Sequence, residues 1–222
     1  MNGKNIKNIK ELYQLQDDIL KIVFSEDTSF YLTGGTALNR FYFQKRISFD
    51  IDFFTFLNDL YYDEVKIICQ KIEDKKFNIK KEVETKDFVR ITVNNTLVVD
   101  FVNDRVYRYG KSNIINRFRI DNIENILSNK VCAIIDRDEE KDFFDLFAIA
   151  KNHSFNWENI FNICNKKQIV EKEVFVERIK SFPLIWLEKI RLIQPFEIHK
   201  SDIEKLIEDS IYGKDNSLIM KK

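Results

Sequence analysis

Two carboxylates stand one residue apart in Arg46-Ile47-Ser48-Phe49-Asp50-Ile51-Asp52-Phe53-Phe54, a run that otherwise reads as a buried strand. In an extended strand, side chains alternate faces and same-side residues lie about 6.6–6.8 Å apart. Ser48, Asp50 and Asp52 therefore share one face, opposite Ile47, Phe49, Ile51 and Phe53. Aspartate is depleted in strands, and an isolated buried carboxylate is costly unless something neutralises it. The strand carries no basic residue of its own, so the pair either ends in water or asks for an external cation. Mg²⁺ (or Mn²⁺) meets that need, because it takes oxygen ligands and is held by one or two carboxylates together with substrate phosphates. Asp100 stands alone within Leu97-Val98-Val99-Asp100-Phe101-Val102. Either it joins Asp50 and Asp52 as a third metal ligand, in a site that activates an attacking oxygen and stabilises a leaving one, or it pairs with Arg90 across a hairpin.

Gly34-Gly35-Thr36 follows a short apolar run, and the chain has only five glycines. A strand–Gly-Gly–Thr–helix unit gathers backbone N–H groups at one point, a favourable place for phosphate. Thr36 would cap the helix or add a hydroxyl contact. The plain alternative is a tight bend. A glycine turn shortly before the two-aspartate strand points to metal-assisted chemistry on a nucleoside triphosphate.

The elements that must position these groups follow from periodicity. Ile9, Leu12, Leu15, Ile19, Ile22 and Val23 recur at helical spacing, predicting an amphipathic helix over 8–25. Phe30-Tyr31-Leu32-Thr33 reads as a short strand, the segment from Thr36 to Gln44 as a helix, and Ile47–Phe54 as a strand. A helix over 60–75 and a candidate edge strand over 78–85 follow. Val89, Ile91 and Val93 on one face, then Asn94-Asn95, then the run around Asp100, predict a hairpin. From Asp121 onward helical periodicity dominates, with breaks near 152–153, 181–183 and 194–195. The expected fold class is α/β (α+β), a mixed sheet core over 1–120 with flanking helices, and a helical C-terminal part over 121–222.

Composition sets limits. Hydrophobic residues at 44% and charged residues at 32% place the chain among ordinary globular proteins. Thirty-six basic residues balance thirty-six acidic ones, so no global positive field argues for nucleic acid. Lysines gather between Lys71 and Lys81, but Glu73 and Asp74 sit among them, as on a solvated helix end. Cys69, Cys132 and Cys164 are odd in number and dispersed, and with His153 and His199 as the only histidines they read as buried, reduced thiols. No segment has the length of apolar sequence that secretion or membrane spanning requires. A cytoplasmic location with no membrane partner is the expectation.

The sequence resembles the AbiEii/AbiGii-type nucleotidyltransferase toxins of the polymerase-β-like superfamily. The resemblance rests on Gly34-Gly35-Thr36, on Arg46-Ile47-Ser48-Phe49-Asp50-Ile51-Asp52, on Lys130, and on Lys141-Asp142-Phe143-Phe144-Asp145-Leu146. It covers roughly residues 30–150. It implies a prokaryotic, cytoplasmic, Mg²⁺-dependent enzyme that moves a nucleotide from an NTP to an acceptor hydroxyl on RNA (tRNA included) or protein, under control of a cognate antitoxin. Gly34, Gly35, Thr36, Arg46, Ser48 and Lys130 would bind the nucleotide, and Asp50, Asp52, Asp100, Lys130 and Asp142 would carry the chemistry. A catalytically retired binding module and a small-molecule (antibiotic-type) nucleotidyltransferase are the alternatives.

Several of these positions keep two readings. Lys130 interrupts the apolar stripe of Ile123, Ile126, Leu127, Ile134 and Ile135, either snorkelling at the helix edge or reaching phosphate. The same helix opens with an Asp121/Glu124 pair of capping-box type. Asp142 is either the N-cap of its helix or an active-site acid, and Asp145 is the weaker functional residue. Arg46 either contacts phosphate or pairs with a carboxylate. The family pattern has arginine where this chain has Lys141, a role open to Arg137. Tyr42, Phe43, Tyr107 and Tyr109 either stack a base or pack in the core, the latter being favoured.

Overall fold

The computed structural model describes residues 9–25 and 27–219. These form two compact units, each assembled from separate stretches of chain. The first takes the residues through Ala37, Ser48–Arg105 and Ser112–Asp121; the second takes Leu38–Ile47, Val106–Lys111 and Asn122 onward.

The first unit is a seven-stranded mixed sheet with helices on its apolar face. In chain order it holds α1 (Ile9–Phe24), β1 (Tyr31–Thr33), α2 (Gly34–Ala37), β2 (Asp50–Phe56), α3 (Tyr61–Asp74), β3 (Ile79–Glu84), β4 (Phe88–Val93), β5 (Leu97–Asp104), β6 (Asn113–Ile115) and β7 (Phe118–Ile120). The strand order is β3-β4-β5-β2-β1-β7-β6. β2 pairs in parallel with β5 and antiparallel with β1, so the two-aspartate strand is central. The alternation read in the sequence sets the faces. Ile51, Phe53, Val89, Ile91, Val93, Val99 and Phe101 are fully buried under α1 and α3, and burying each such side chain contributes about 1.5–3 kcal/mol. Phe53 stacks on Phe101 at 5.5 Å, and Phe30 meets Phe101 edge-on at 5.3 Å. The Tyr61 hydroxyl donates to the Phe101 carbonyl at 2.8 Å, and burial pushes its pKa well above the ordinary phenol value. The β4–β5 turn places Asn94 and Asn95 at φ 51° and 56°, a left-handed backbone that asparagine tolerates.

Three local expectations change. The strand expected from Ile47 begins at Asp50, because Ile47 N–H donates to the Arg191 carbonyl and Arg46 bridges Leu192 instead. The helix expected from Thr36 to Gln44 is a four-residue α2 followed by a π-helical turn, Leu38–Tyr42. There the Asn39 side chain accepts from the N–H groups of Lys45 and Arg46 and draws the backbone out of the helical ladder. The strands β6 and β7, at three residues each, are too short for alternation to register in the sequence.

The second unit is helical: α4 (Ile123–Asp136), α5 (Glu140–Asn152), α6 (Trp157–Asn165), α7 (Lys172–Ser181) and α8 (Lys200–Ile211), with a 3₁₀ segment at Leu184–Lys189. Trp157, Phe161 and Phe175 form its aromatic centre, with ring centroids 5.6–5.7 Å apart. The cap of α4 is Asn122, whose side chain accepts from Asn125 N–H at 2.8 Å, and not the expected Asp121/Glu124 pair. Asp121 instead accepts from the Thr33 hydroxyl at 2.8 Å, within the first unit. The three cysteines are buried. Among the described residues no helix is long and apolar enough to cross a membrane.

Candidate active site

In the first unit, sheet register brings the candidate residues into one row. Thr33 lies opposite Asp52, Asp52 opposite Asp100, and Asp100 opposite Arg90, across β1, β2, β5 and β4. Residues paired in register project from the same face, and Asp50 shares that face two residues along β2. Asp50 and Asp52 are half-buried, on the side of the sheet away from α1 and α3.

Three flanking motif residues, Gly34, Thr36 and Ser48, lie against this pair. Gly34 has φ +69°, and a Cβ there would overlap the Asp52 carboxylate, lying 3.2 Å from its Cγ. Glycine is therefore required twice, for its backbone angle and for the space that Asp52 fills. The Thr36 hydroxyl donates to the Asp50 carbonyl, tying the glycine turn to β2. The Ser48 hydroxyl donates to Asp50 Oδ1 at 3.1 Å, while the Ser48 carbonyl accepts from Gln16. Thr36 and Ser48 are thus held as braces of the carboxylate strand.

Asp100 is engaged by Arg90, whose Nε and Nη2 donate to its two oxygens at 2.7 and 2.6 Å. The hydrogen bond to Asp100 raises the Arg90 pKa against the opposing effect of burial, and the charges of Asp100, Asp52 and Asp50 add to it. Among the described residues no group of three or more His, Cys, Asp or Glu side chains is placed to hold a metal ion. The carboxylate pair of Asp50 and Asp52 is of the oxygen-donor type that Mg²⁺ or Mn²⁺ takes. The space kept open at Gly34 leaves the Asp52 carboxylate against glycine backbone, with no side chain between them.

In the second unit the remaining motif residues form a buried ion network. Arg46 grips Asp145 through Nε and Nη2 at 2.8 and 2.7 Å, and Asn39 donates to the same carboxylate at 3.2 Å. The Lys130 ammonium sits 2.7 Å from Asp145 and 2.8 Å from Asp142. Arg137 completes the chain on Asp142 at 2.8 Å. Desolvation alone would lower the Lys130 pKa, but Asp145 and Asp142 outweigh it and raise it. Burial would likewise raise Asp145, yet Arg46 and Lys130 hold it down at about 2. Asp142 is lowered in the same way, by Lys130 and then Arg137 acting against burial.

The network decides between the structural alternatives open for Asp142 and Lys130 and shows where Asp145 sits. The N-cap of α5 is Glu139, so Asp142 lies inside the helix and faces the cations. Asp145, ranked below Asp142, makes the larger set of contacts and is fully buried. Lys130 has its ammonium inside the network and its side chain only 10% exposed, so it does not snorkel. Asn39 and Arg90 join these groups only in the folded chain. Asn39 gave no signal, while Arg90 was visible only as a possible partner of Asp100. Tyr107 and Tyr109 are exposed and are not core residues.

Comparison with known proteins bears on the family and the fold. A family model described as nucleotidyl transferase AbiEii toxin, type IV toxin–antitoxin system, matches residues 19–216. An uncharacterized protein of Aquifex aeolicus (strain VF5) is 26% identical, covering 90% of this chain and 98% of its own length. Among solved structures, one from H. pylori, provisionally described as a nucleotidyltransferase, superposes with a TM-score of 0.57 at 22% identity, over 92% of this chain and 91% of its own. JHP933 from Helicobacter pylori gives 0.53 at 22% identity, over 93% and 80%. At these identities the two structures establish the fold.

Proposed function

This chain belongs to the AbiEii nucleotidyltransferase toxin family, and from that membership we propose that it transfers a nucleotide from an NTP to an acceptor hydroxyl as the toxin of a toxin–antitoxin pair. The observation that carries the reading is the close approach of the Asp52 carboxylate to the Gly34 backbone, which brings the glycine turn and the two-aspartate strand to one place. Asp50 and Asp52 would hold Mg²⁺ or Mn²⁺, which when bound neutralises phosphate charge and favours ionisation of the acceptor hydroxyl.

The chain's own residues do the positioning on which phosphoryl transfer chiefly depends. Ser48 orients the Asp50 carboxylate, and Thr36 fixes the glycine turn against β2. The backbone N–H groups around Gly34 and Gly35 receive the triphosphate. The acceptor oxygen forms a bond to the α-phosphorus, the bridging bond to the β-phosphate breaks, and pyrophosphate leaves. The hydroxyl proton passes to a site carboxylate or to solvent. Lys130 and Asp142 enter through the family pattern, and within the second unit Asp142 and Asp145 keep the Lys130 ammonium protonated. Arg46 acts through Asp145.

A second reading, a retired binding module, is favoured by one observation, the neutralisation of Asp100 by Arg90. One experiment separates the two. Purified protein and its Asp50→Asn and Asp52→Asn variants are incubated with Mg²⁺, each α-³²P-labelled NTP in turn, total cellular RNA and protein extract. A labelled band from wild type alone supports transfer and identifies nucleotide and acceptor class. NTP binding without label in any lane supports the binding module.

A further inference from the structure

Arg90 is held on two sides and open on a third. Asp100 takes its Nε and Nη2, and the Phe88 ring lies 5.5 Å from its guanidinium carbon. Nη1 makes no hydrogen bond to any described residue, and the side chain is 44% exposed. A guanidinium carries five N–H donors in a rigid plane. With two of them on Asp100, the remaining edge has the fork geometry that binds phosphate.

The position of this edge is set by strand order. β4 lies two strands from β2 on one flank, while β1, which leads into Gly34, is its neighbour on the other. Strands in a sheet are about 4.8 Å apart. The Arg90 backbone is therefore roughly 10 Å to one side of Asp52, and the glycine turn roughly 5 Å to the other. In an in-line displacement the attacking and leaving oxygens lie on opposite sides of phosphorus. A triphosphate seated at Gly34 and Gly35 puts its leaving pyrophosphate on the β1 flank, and Arg90 then faces the acceptor.

We propose that Arg90 binds a phosphate on the acceptor side of Asp50 and Asp52, with Asp100 as its positioning partner and not a metal ligand. The acceptor so recognised carries a phosphate beside its attacking hydroxyl, as the end of an RNA strand does. Which flank belongs to the acceptor rests on the nucleotidyl-transfer reading; the phosphate-binding edge of Arg90 does not.

The test uses the full chain and the paired variant Arg90→Gln/Asp100→Asn, which removes one positive and one negative charge and keeps groups able to hydrogen-bond each other. Net charge is unchanged, so an effect of bulk electrostatics predicts no loss. Binding of an end-labelled single-stranded RNA is followed by fluorescence anisotropy, and binding of each NTP and of Mn²⁺ by calorimetry. The proposal expects RNA affinity to fall about tenfold or more, with NTP and Mn²⁺ affinities within about twofold of wild type. Arg90→Lys should recover part of the RNA affinity without the full bidentate effect. Unchanged RNA affinity overturns the proposal, as does a wild type that binds no RNA, the outcome expected for an uncharged protein hydroxyl as acceptor. A loss of NTP affinity instead would move Arg90 to the triphosphate, and a loss of Mn²⁺ affinity would return Asp100 to the metal. If the wild type consumes no NTP, the nucleotidyl-transfer reading falls while Arg90-dependent RNA binding is still measured on its own.

Discussion

The Asp52 carboxylate occupies the space where any residue but glycine at position 34 would carry its Cβ. Gly34→Ala is therefore doubly unfavourable, because alanine must adopt φ +69° and also displace Asp52. A stability loss of about 1–3 kcal/mol is expected, which for a chain of this size lowers Tm by roughly 2–12 °C. Nucleotidyl transfer should fall further than stability alone explains, because the displaced group is a proposed metal ligand. Thermal denaturation alongside transfer assays checks this; an alanine variant with wild-type Tm and rate would remove the argument.

Asp50 and Asp52 share one strand face, where two like charges lie close together, so neutralising either removes one charge from that face together with a proposed ligand. Asp52→Asn is expected to match or exceed the wild-type Tm while losing Mn²⁺ affinity and transfer activity by about tenfold or more. Chelation of divalent metal should stop transfer in the wild type, and added Mg²⁺ or Mn²⁺ should restore it. Calorimetric Mn²⁺ titration and circular dichroism are the measurements. A variant that unfolds while still binding Mn²⁺ would make the pair structural.

Asp145 holds two buried cations, so its removal leaves charge without a partner. Asp145→Asn should cost about 3–5 kcal/mol, read as a reduced midpoint in urea denaturation, whereas the exposed Glu204→Gln should stay within about 0.5 kcal/mol. The folded-state pKa of Asp145 is depressed, from 3.8 to about 2. Its contribution is thus complete above pH 3.8 and is lost as pH falls through about 2. That amounts to about 2 kcal/mol of acid-labile stability. The Asn variant should lack this part of the acid slope, and an unchanged slope would place the acid transition elsewhere.

The start of α4 offers a test of local structure. Asn122→Ala removes the side-chain cap and also the donors to the Tyr109 and Lys111 carbonyls. A cost of about 1–2 kcal/mol is expected. Glu124→Ala, at the other half of the pair read from sequence, should cost less than about 1 kcal/mol, since its one partner is a partly exposed His153. Equal losses would restore the capping box.

What the sequence alone determined is whatever repeats along the chain. Alternation around Asp50 and Asp52 marked a strand and put both carboxylates on one face, because the period of a strand is two whatever packs beside it, while its central place came from the strand order. Helical periodicity delivered α1, α3 and the helical C-terminal region, and Asn94-Asn95 marked the hairpin. The glycine pair was legible as a turn and the aspartate pair as charge on a strand, both local signals, whereas Arg46 stood out only through the family pattern. The tertiary structure decided which partner each charged group takes. Asp100 had two partners open to it in sequence, and strand register gave it to Arg90. Asp145 ranked low because its partners Arg46 and Asn39 lie 99 and 106 residues away, and local spacing says nothing about so distant a cation. Strength of a charge pair depends on distance and burial, and both are properties of the folded chain.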